Sequence, residues 1–165
     1  MNRKRIAVVL GCAAAGFLLA GCESGGAERV RNIKIGVAVY DQYDTFISQL
    51  GEQFNQCAAE MSDSADSNIS VKIEVYNAGK SQTTQNDQVK NMLEQECDVI
   101  CVNLVDRTEP VTIIDMAEKQ DVPVIFFNRE LVEQDLERWD RLYYVGAPAL
   151  QSGILQGEMA ADLFQ

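Results

Sequence analysis

Histidine is absent from all 165 residues of the chain. That removes His-based triads, histidine metal ligands and imidazole proton shuttles from its chemistry. Basic charge is scarce too: 14 Lys and Arg stand against 25 Asp and Glu, a net charge of −11. Such a surface disfavours nucleic acid, whose phosphates need a basic face. No GxSxG, HExxH or CxxC motif occurs, and no glycine-rich phosphate loop follows the first strand-like segment. In its place stands Asp41-Gln42-Tyr43-Asp44-Thr45-Phe46, acidic and bulky, which would repel and crowd a pyrophosphate. Asp41 and Asp44 form a carboxylate pair suited in principle to acid–base work, but no nucleophile accompanies them. The pattern points away from an enzyme.

Cysteine is present in an awkward number. Of five, Cys12 and Cys22 lie near the amino terminus, which leaves Cys57, Cys97 and Cys101. Three cannot close a complete disulfide framework. Placed in one strand, Cys97 and Cys101 would stand roughly 13 Å apart, beyond the ~7 Å limit between the Cα atoms of a disulfide. They read as small buried hydrophobes.

At the amino terminus, Arg3, Lys4 and Arg5 precede an apolar run of 15 residues, Ile6 to Ala20. The run is short for a membrane span and suits the core of a signal peptide. It ends in Leu19-Ala20-Gly21-Cys22, which resembles a bacterial lipobox. In such signals the cysteine becomes the first mature residue and carries the lipid, so Cys22 is the expected lipidation site; an ordinary signal peptide with an incidental cysteine is the alternative. Cleavage there strips three basic groups and leaves a net charge of −14. The expected organisation is a signal peptide over 1–21, a small polar tether over 22–32, one lobe over 33–142, and the start of a further segment over 143–165.

With 47% hydrophobic and 24% charged residues, the remainder has material for one packed domain. Residues 33–40 form a dense β-branched apolar run, the signature of a strand covered on both faces. From Asp44, a helical stripe runs through Ile47, Leu50, Phe54, Cys57 and Met61. Val71, Ile73 and Val75 alternate as a second strand. Residues 83–95 predict a helix with Gln85, Val89, Met92 and Leu93 inward. Residues 99–105 read as a third strand, and 109–119 as a helix with Ile113, Ile114 and Ala117 inward. A fourth strand over 124–127, a charged connection over 128–141, a fifth strand over 142–145 and a helix from Ser152 complete the chain. This alternation predicts an α/β fold with a doubly wound, mostly parallel sheet. The last helix runs to Gln165 without a stop signal and with its apolar side uncovered, so a truncated chain is expected.

In open α/β sheets, ligands bind beyond the carboxyl ends of the strands. Those positions hold Tyr40, Asp41, Gln42, Tyr43, Asp44 and Phe46 after the first strand. Asn103, Asp106 and Arg107 follow the third, and Asn128, Arg129 and Glu130 the fourth. Carboxylate, amide and aromatic face suit a neutral polyhydroxyl ligand. Each also has a plainer role: Asp44 as a helix N-cap, Phe46 as a core or staple residue, Asn103 as a partner of the adjacent loop. Tyr40 and Asn128 fit loop-holding roles, and Trp139 a surface packing role.

The ordered set of segments resembles the sugar-binding components of bacterial ABC transporters, within the periplasmic-binding-protein-like families. It comprises Ile35-Gly36-Val37-Ala38-Val39-Tyr40, Tyr43-Asp44-Thr45-Phe46, Gln85-Asn86-Asp87-Gln88, Asn103-Leu104-Val105-Asp106, Val122-Pro123-Val124-Ile125-Phe126-Phe127-Asn128, Tyr143-Tyr144-Val145-Gly146 and Ser152-Gly153-Ile154-Leu155-Gln156-Gly157. Asn103 to Asp106 and Phe126 to Asn128 favour the galactose/glucose branch over the ribose branch. The resemblance implies two lobes with a monosaccharide between them, of which this chain holds the first. It implies Asp44 on a hydroxyl, Phe46 stacked on the ring, Asn103 on another hydroxyl and Asn128 near the same cleft, with Tyr143 to Gly146 forming a hinge crossing. It further implies an ABC permease as partner, with a chemotaxis or sensor receptor as the alternative, and a site for another pentose or hexose as a second alternative. No cofactor is expected in this chain; a calcium loop belongs to the family's second lobe.

Overall fold

The structure is a computed structural model that describes residues 30–64 and 68–164. The signal-like segment, the expected lipidation site Cys22 and most of the tether lie outside the described residues. Strands and helices alternate: β1 (Arg31–Val39), α1 (Thr45–Asp63), β2 (Ile69–Asn77), α2 (Gln82–Glu94), β3 (Val99–Val102), α3 (Val111–Lys119), β4 (Val124–Phe127), α4 (Glu133–Leu136), β5 (Leu142–Val145) and α5 (Ala149–Leu163). The five strands form one sheet in the order β2-β1-β3-β4-β5. Every neighbouring pair is parallel. Parallel neighbours need a crossover between them, and the helices supply it. The doubly wound α/β architecture expected from the alternation is the one the chain adopts.

Side-chain alternation along the strands splits the core into two layers. Ala38, Ile100, Val102, Val124 and Phe126 pack on α2 and α3 through Val89, Met92, Leu93, Ile113, Ile114 and Ala117. Val37, Val39, Cys101 and Phe127 point to the opposite face and meet Ile47 and Phe54 of α1. The Phe54 and Phe127 rings meet edge to face at 5.7 Å. Gly36 lets α2 approach closely: a Cβ there would lie 2.6 Å from Met92 Sδ and 3.3 Å from Cys97 Sγ. Cys97 and Cys101 are buried and free, as expected of small apolar fillers.

Boundaries shift for identifiable reasons. β1 starts at Arg31, inside the stretch assigned to the tether, because Arg31 and Asn32 pair with Ile69 and Ser70. α1 buries Ala58, whereas Cys57 and Met61, expected inward, are exposed. At 3.6 residues per turn, the face through Ile47, Leu50 and Phe54 next returns at 58. β3 ends at Val102 rather than 105, because the Leu104 and Val105 carbonyls go to Arg129 instead of a neighbouring strand. Within the charged connection lies α4, a single turn too short for periodicity to reveal. Trp139 beside it is half-buried against the α2–α3 core layer. α5 starts at Ala149, three residues before the expected Ser152, with Pro148 as its N-cap residue. It has no buried residue; Leu150, Met159 and Leu163 stay exposed. Among the described residues, no helix is long and apolar enough to cross a membrane.

Candidate functional site

Strand order reverses direction at β1, whose two neighbours are β2 and β3. Connections leave β1 and β3 toward opposite edges, and the crevice between their carboxyl tips is where this architecture places ligands. Asp44 follows the first tip and Asn103 the second.

The loop after β1 is tightly organised. Asp41 accepts from the Tyr43 N–H at 3.0 Å and pairs with Lys80 at 3.1 Å. Asn77 Oδ1 accepts from the Gln42 N–H at 3.1 Å. Asp44 is the N-cap of α1: its Oδ1 accepts from the Ile47 N–H at 3.0 Å. Its Oδ2 accepts from the Tyr40 phenol at 2.6 Å. The phenol, followed by the Ile47 N–H, holds the Asp44 carboxyl below the usual aspartate value. The Tyr43 N–H and Lys80 do the same for Asp41. Both carboxylates stay ionised at neutral pH, so neither is poised as a proton donor.

With its cap fixed, α1 presents Phe46 at the second helical position, 56% exposed. Phe46 and Asn128 line one hollow of about 470 Å³, whose walls are mostly apolar: Leu50, Phe54, Phe127 and Val145 among them. Asn128 has a φ of 64°, a left-handed conformation that Asn tolerates better than most residues. Its N–H donates to Val145 O at 3.0 Å, and its carbonyl accepts from the Tyr144 phenol at 3.2 Å. Gly146 beside it leaves room for the Tyr144 hydroxyl, which a Cβ there would displace.

Asn103 departs from its expected place. It is fully buried, and its Nδ2 donates to Phe127 O at 3.1 Å, so it does not open onto the hollow shared by Phe46 and Asn128. The plainer role, holding the neighbouring strand tip, is the one this geometry displays. Asn103 Oδ1 remains buried without a partner. Asp44 also lies outside the lining of that hollow, two residues from Phe46, with its carboxylate engaged by Tyr40. Acid, ring and amide therefore gather at one edge of the sheet but do not line a single cavity.

Three residues outside the set expected to touch sugar hold this edge together. Gln85, fully buried on α2, donates from Nε2 to Asn103 O at 2.9 Å and accepts from the Val105 N–H at 3.0 Å. The Arg129 guanidinium lies 3.9 Å from the centre of the Tyr40 ring. It also donates to the carbonyls of Leu104 and Val105 at 3.1 and 2.7 Å. Tyr40 connects this clamp to Asp44. The only local signal in the sequence was position: Tyr40 and Arg129 stand at strand tips.

A parallel sheet ordered 2-1-3-4-5 defines a doubly wound α/β lobe whose ligand edge lies at the β1/β3 reversal point. Residues 35–165 match the family described as the periplasmic binding protein domain, and the chain belongs to that family. It is 29% identical over 138 residues to the D-galactose/methyl-galactoside binding periplasmic protein MglB of Haemophilus influenzae. That match covers 84% of this chain and 40% of the relative, so the chain spans less than half of the relative's length. Among solved structures it is similar to an ABC transporter solute-binding protein from Bacillus halodurans with bound myo-inositol. The TM-score is 0.67 and the identity 29%, over 82% of this chain and 43% of that one. It also shares its fold with a periplasmic ribose ABC transporter protein from Conexibacter woesei, at TM-score 0.65 and 22% identity, over 83% of this chain and 42% of that one.

Proposed function

We propose that the intact protein is the extracytoplasmic solute-binding component of a sugar ABC transporter. It takes a monosaccharide of the galactose/glucose type against the sheet edge described above and delivers it to a membrane permease, without chemical turnover. The observation that carries this reading is Phe46, an aromatic face held open to solvent at the strand-reversal point, two residues from an ionised, rigidly held Asp44. A ring face covers the C–H side of a sugar, and a carboxylate accepts from its hydroxyls. Asn128 contributes from the same hollow. Asn103 is fully buried, and its unpartnered Oδ1 meets a sugar hydroxyl only after the side chains that cover it move aside. Kinship with a galactoside-binding protein favours a hexose, and the lipobox-like segment favours a lipid anchor at Cys22.

Titration calorimetry of the intact protein with D-galactose, D-glucose, D-ribose, D-allose and myo-inositol tests this. Saturable heat with galactose or glucose is the expected result. Heat with only another member of the panel overturns the galactose/glucose assignment, and silence with all five overturns the sugar reading. Phe46→Ala should weaken the binding at least tenfold with little effect on melting, since the ring is more than half exposed.

A further inference from the structure

The carboxylate of Asp44 does not stand alone at the strand-reversal point. Its Oδ1 belongs to the helix cap, so the orientation of the carboxylate plane about that bond depends on what holds Oδ2. The holder is Tyr40, at 2.6 Å. The Tyr40 ring packs partly against the α1-side core layer, and Arg129 lies over it. The guanidinium stacks on it at 3.9 Å while one nitrogen, Nη1, binds two successive carbonyls of the β3 tip. Three strand ends, those of β1, β3 and β4, are thereby joined through one side chain from the β4 loop. Only a planar, multiply donating cation performs both tasks, because an ammonium offers no plane to stack.

We infer that Arg129 and Tyr40 are positioning residues of the sugar face, Arg129 pinning the Tyr40 ring to the β3 tip and Tyr40 turning the free lone pairs of Asp44 toward the ligand. This rests on the proposal that Asp44 meets a sugar hydroxyl. It separates two roles of one residue: the Ile47 N–H uses Asp44 to start a helix, and Tyr40 uses the same carboxylate to build a binding surface. Around Asp44, Tyr40 and Arg129 both favour its ionised form. Asp41, the nearby like charge, is itself paired with Lys80.

The test uses the intact protein with Tyr40→Phe, Arg129→Lys and Arg129→Gln, read in two ways. In sugar-free protein, the Asp44 carboxyl is titrated by ¹³C NMR. Tyr40→Phe should move its midpoint upward toward the ordinary aspartate value, since the donor that lowers it is gone. With D-galactose and D-glucose as probes, Tyr40→Phe should lose at least tenfold in affinity while the melting temperature stays within a few degrees. Arg129→Lys should lose nearly as much as Arg129→Gln. Restoration of binding by Lys overturns the stacking clamp, since charge alone would then suffice. Unchanged sugar affinity in Tyr40→Phe overturns the positioning role even where the titration moves. If the unmodified protein takes up neither sugar, the galactose/glucose assignment fails. The titration then decides alone: an unmoved Asp44 midpoint overturns the Tyr40 hold, and a moved one supports it.

Discussion

Replacing Gln85 by methionine isolates the clamp on the β3 tip. The two side chains have nearly the same length and shape, so packing in α2 is largely preserved and the polar contacts alone are lost. Two backbone groups are stranded. Asn103 O loses its donor at 2.9 Å and the Val105 N–H loses its acceptor at 3.0 Å. Each stranded buried group costs about 1–3 kcal/mol. Val105 is only half-buried and water reaches it more easily, so about 2–4 kcal/mol is expected in total. Urea unfolding of the intact protein, followed by far-ultraviolet circular dichroism, measures it as a drop in midpoint at constant slope. A loss below about 0.5 kcal/mol, the range of neutral surface changes, would refute the reasoning. It would show that water replaces Gln85 without penalty.

Gly36→Ala places a methyl group 2.6 Å from Met92 Sδ and should cost about 1–3 kcal/mol; adding Met92→Ala should recover part of that loss, which a double-mutant cycle detects as coupling. The Asp44 carboxyl titrates below the ordinary aspartate value of 3.8 in the folded chain. Its stabilisation is therefore complete above that value and is lost as the pH falls below it. The stability gap between the unmodified protein and Asp44→Asn should be widest near neutrality and should close in acid, as read from denaturant midpoints across pH; a gap independent of pH contradicts the tyrosine and amide hold on the carboxylate. Cys57 is exposed, whereas Cys97 and Cys101 are buried, and burial pushes the Cys101 thiol up to about 11. Brief treatment with iodoacetamide at pH 8 followed by peptide mapping should find label on Cys57 and little on the other two.

Much of the architecture was readable along the chain because the signals are local. A dense apolar run and the Asp44 cap marked β1 and α1, and the inward positions of α2 and α3 are the ones buried in the structure. Periodicity failed where an element was one turn long, as in α4, or where the helical repeat falls between two adjacent positions, as at Cys57 and Ala58. The site was legible as a set of strand-tip residues, but not as a set of contacts. Nothing near Asn103 in sequence shows that its amide is spent on Phe127 O, twenty-four residues on. Nor does Tyr40 carry any mark of Arg129.

By itself, the sequence determined the order of strands and helices, the faces they bury and the type of chemistry at their ends, since these follow from spacing within a few residues. Only the tertiary structure decided which tips are neighbours. The 2-1-3-4-5 order sets β1 beside β3 and β3 beside β4. Parallel register brings their carboxyl ends to one edge, where Arg129 reaches Tyr40 and Gln85 reaches Asn103. Those contacts join residues far apart in the chain. They exist because buried parallel strands must line up their backbone hydrogen bonds, a constraint that no single segment expresses on its own.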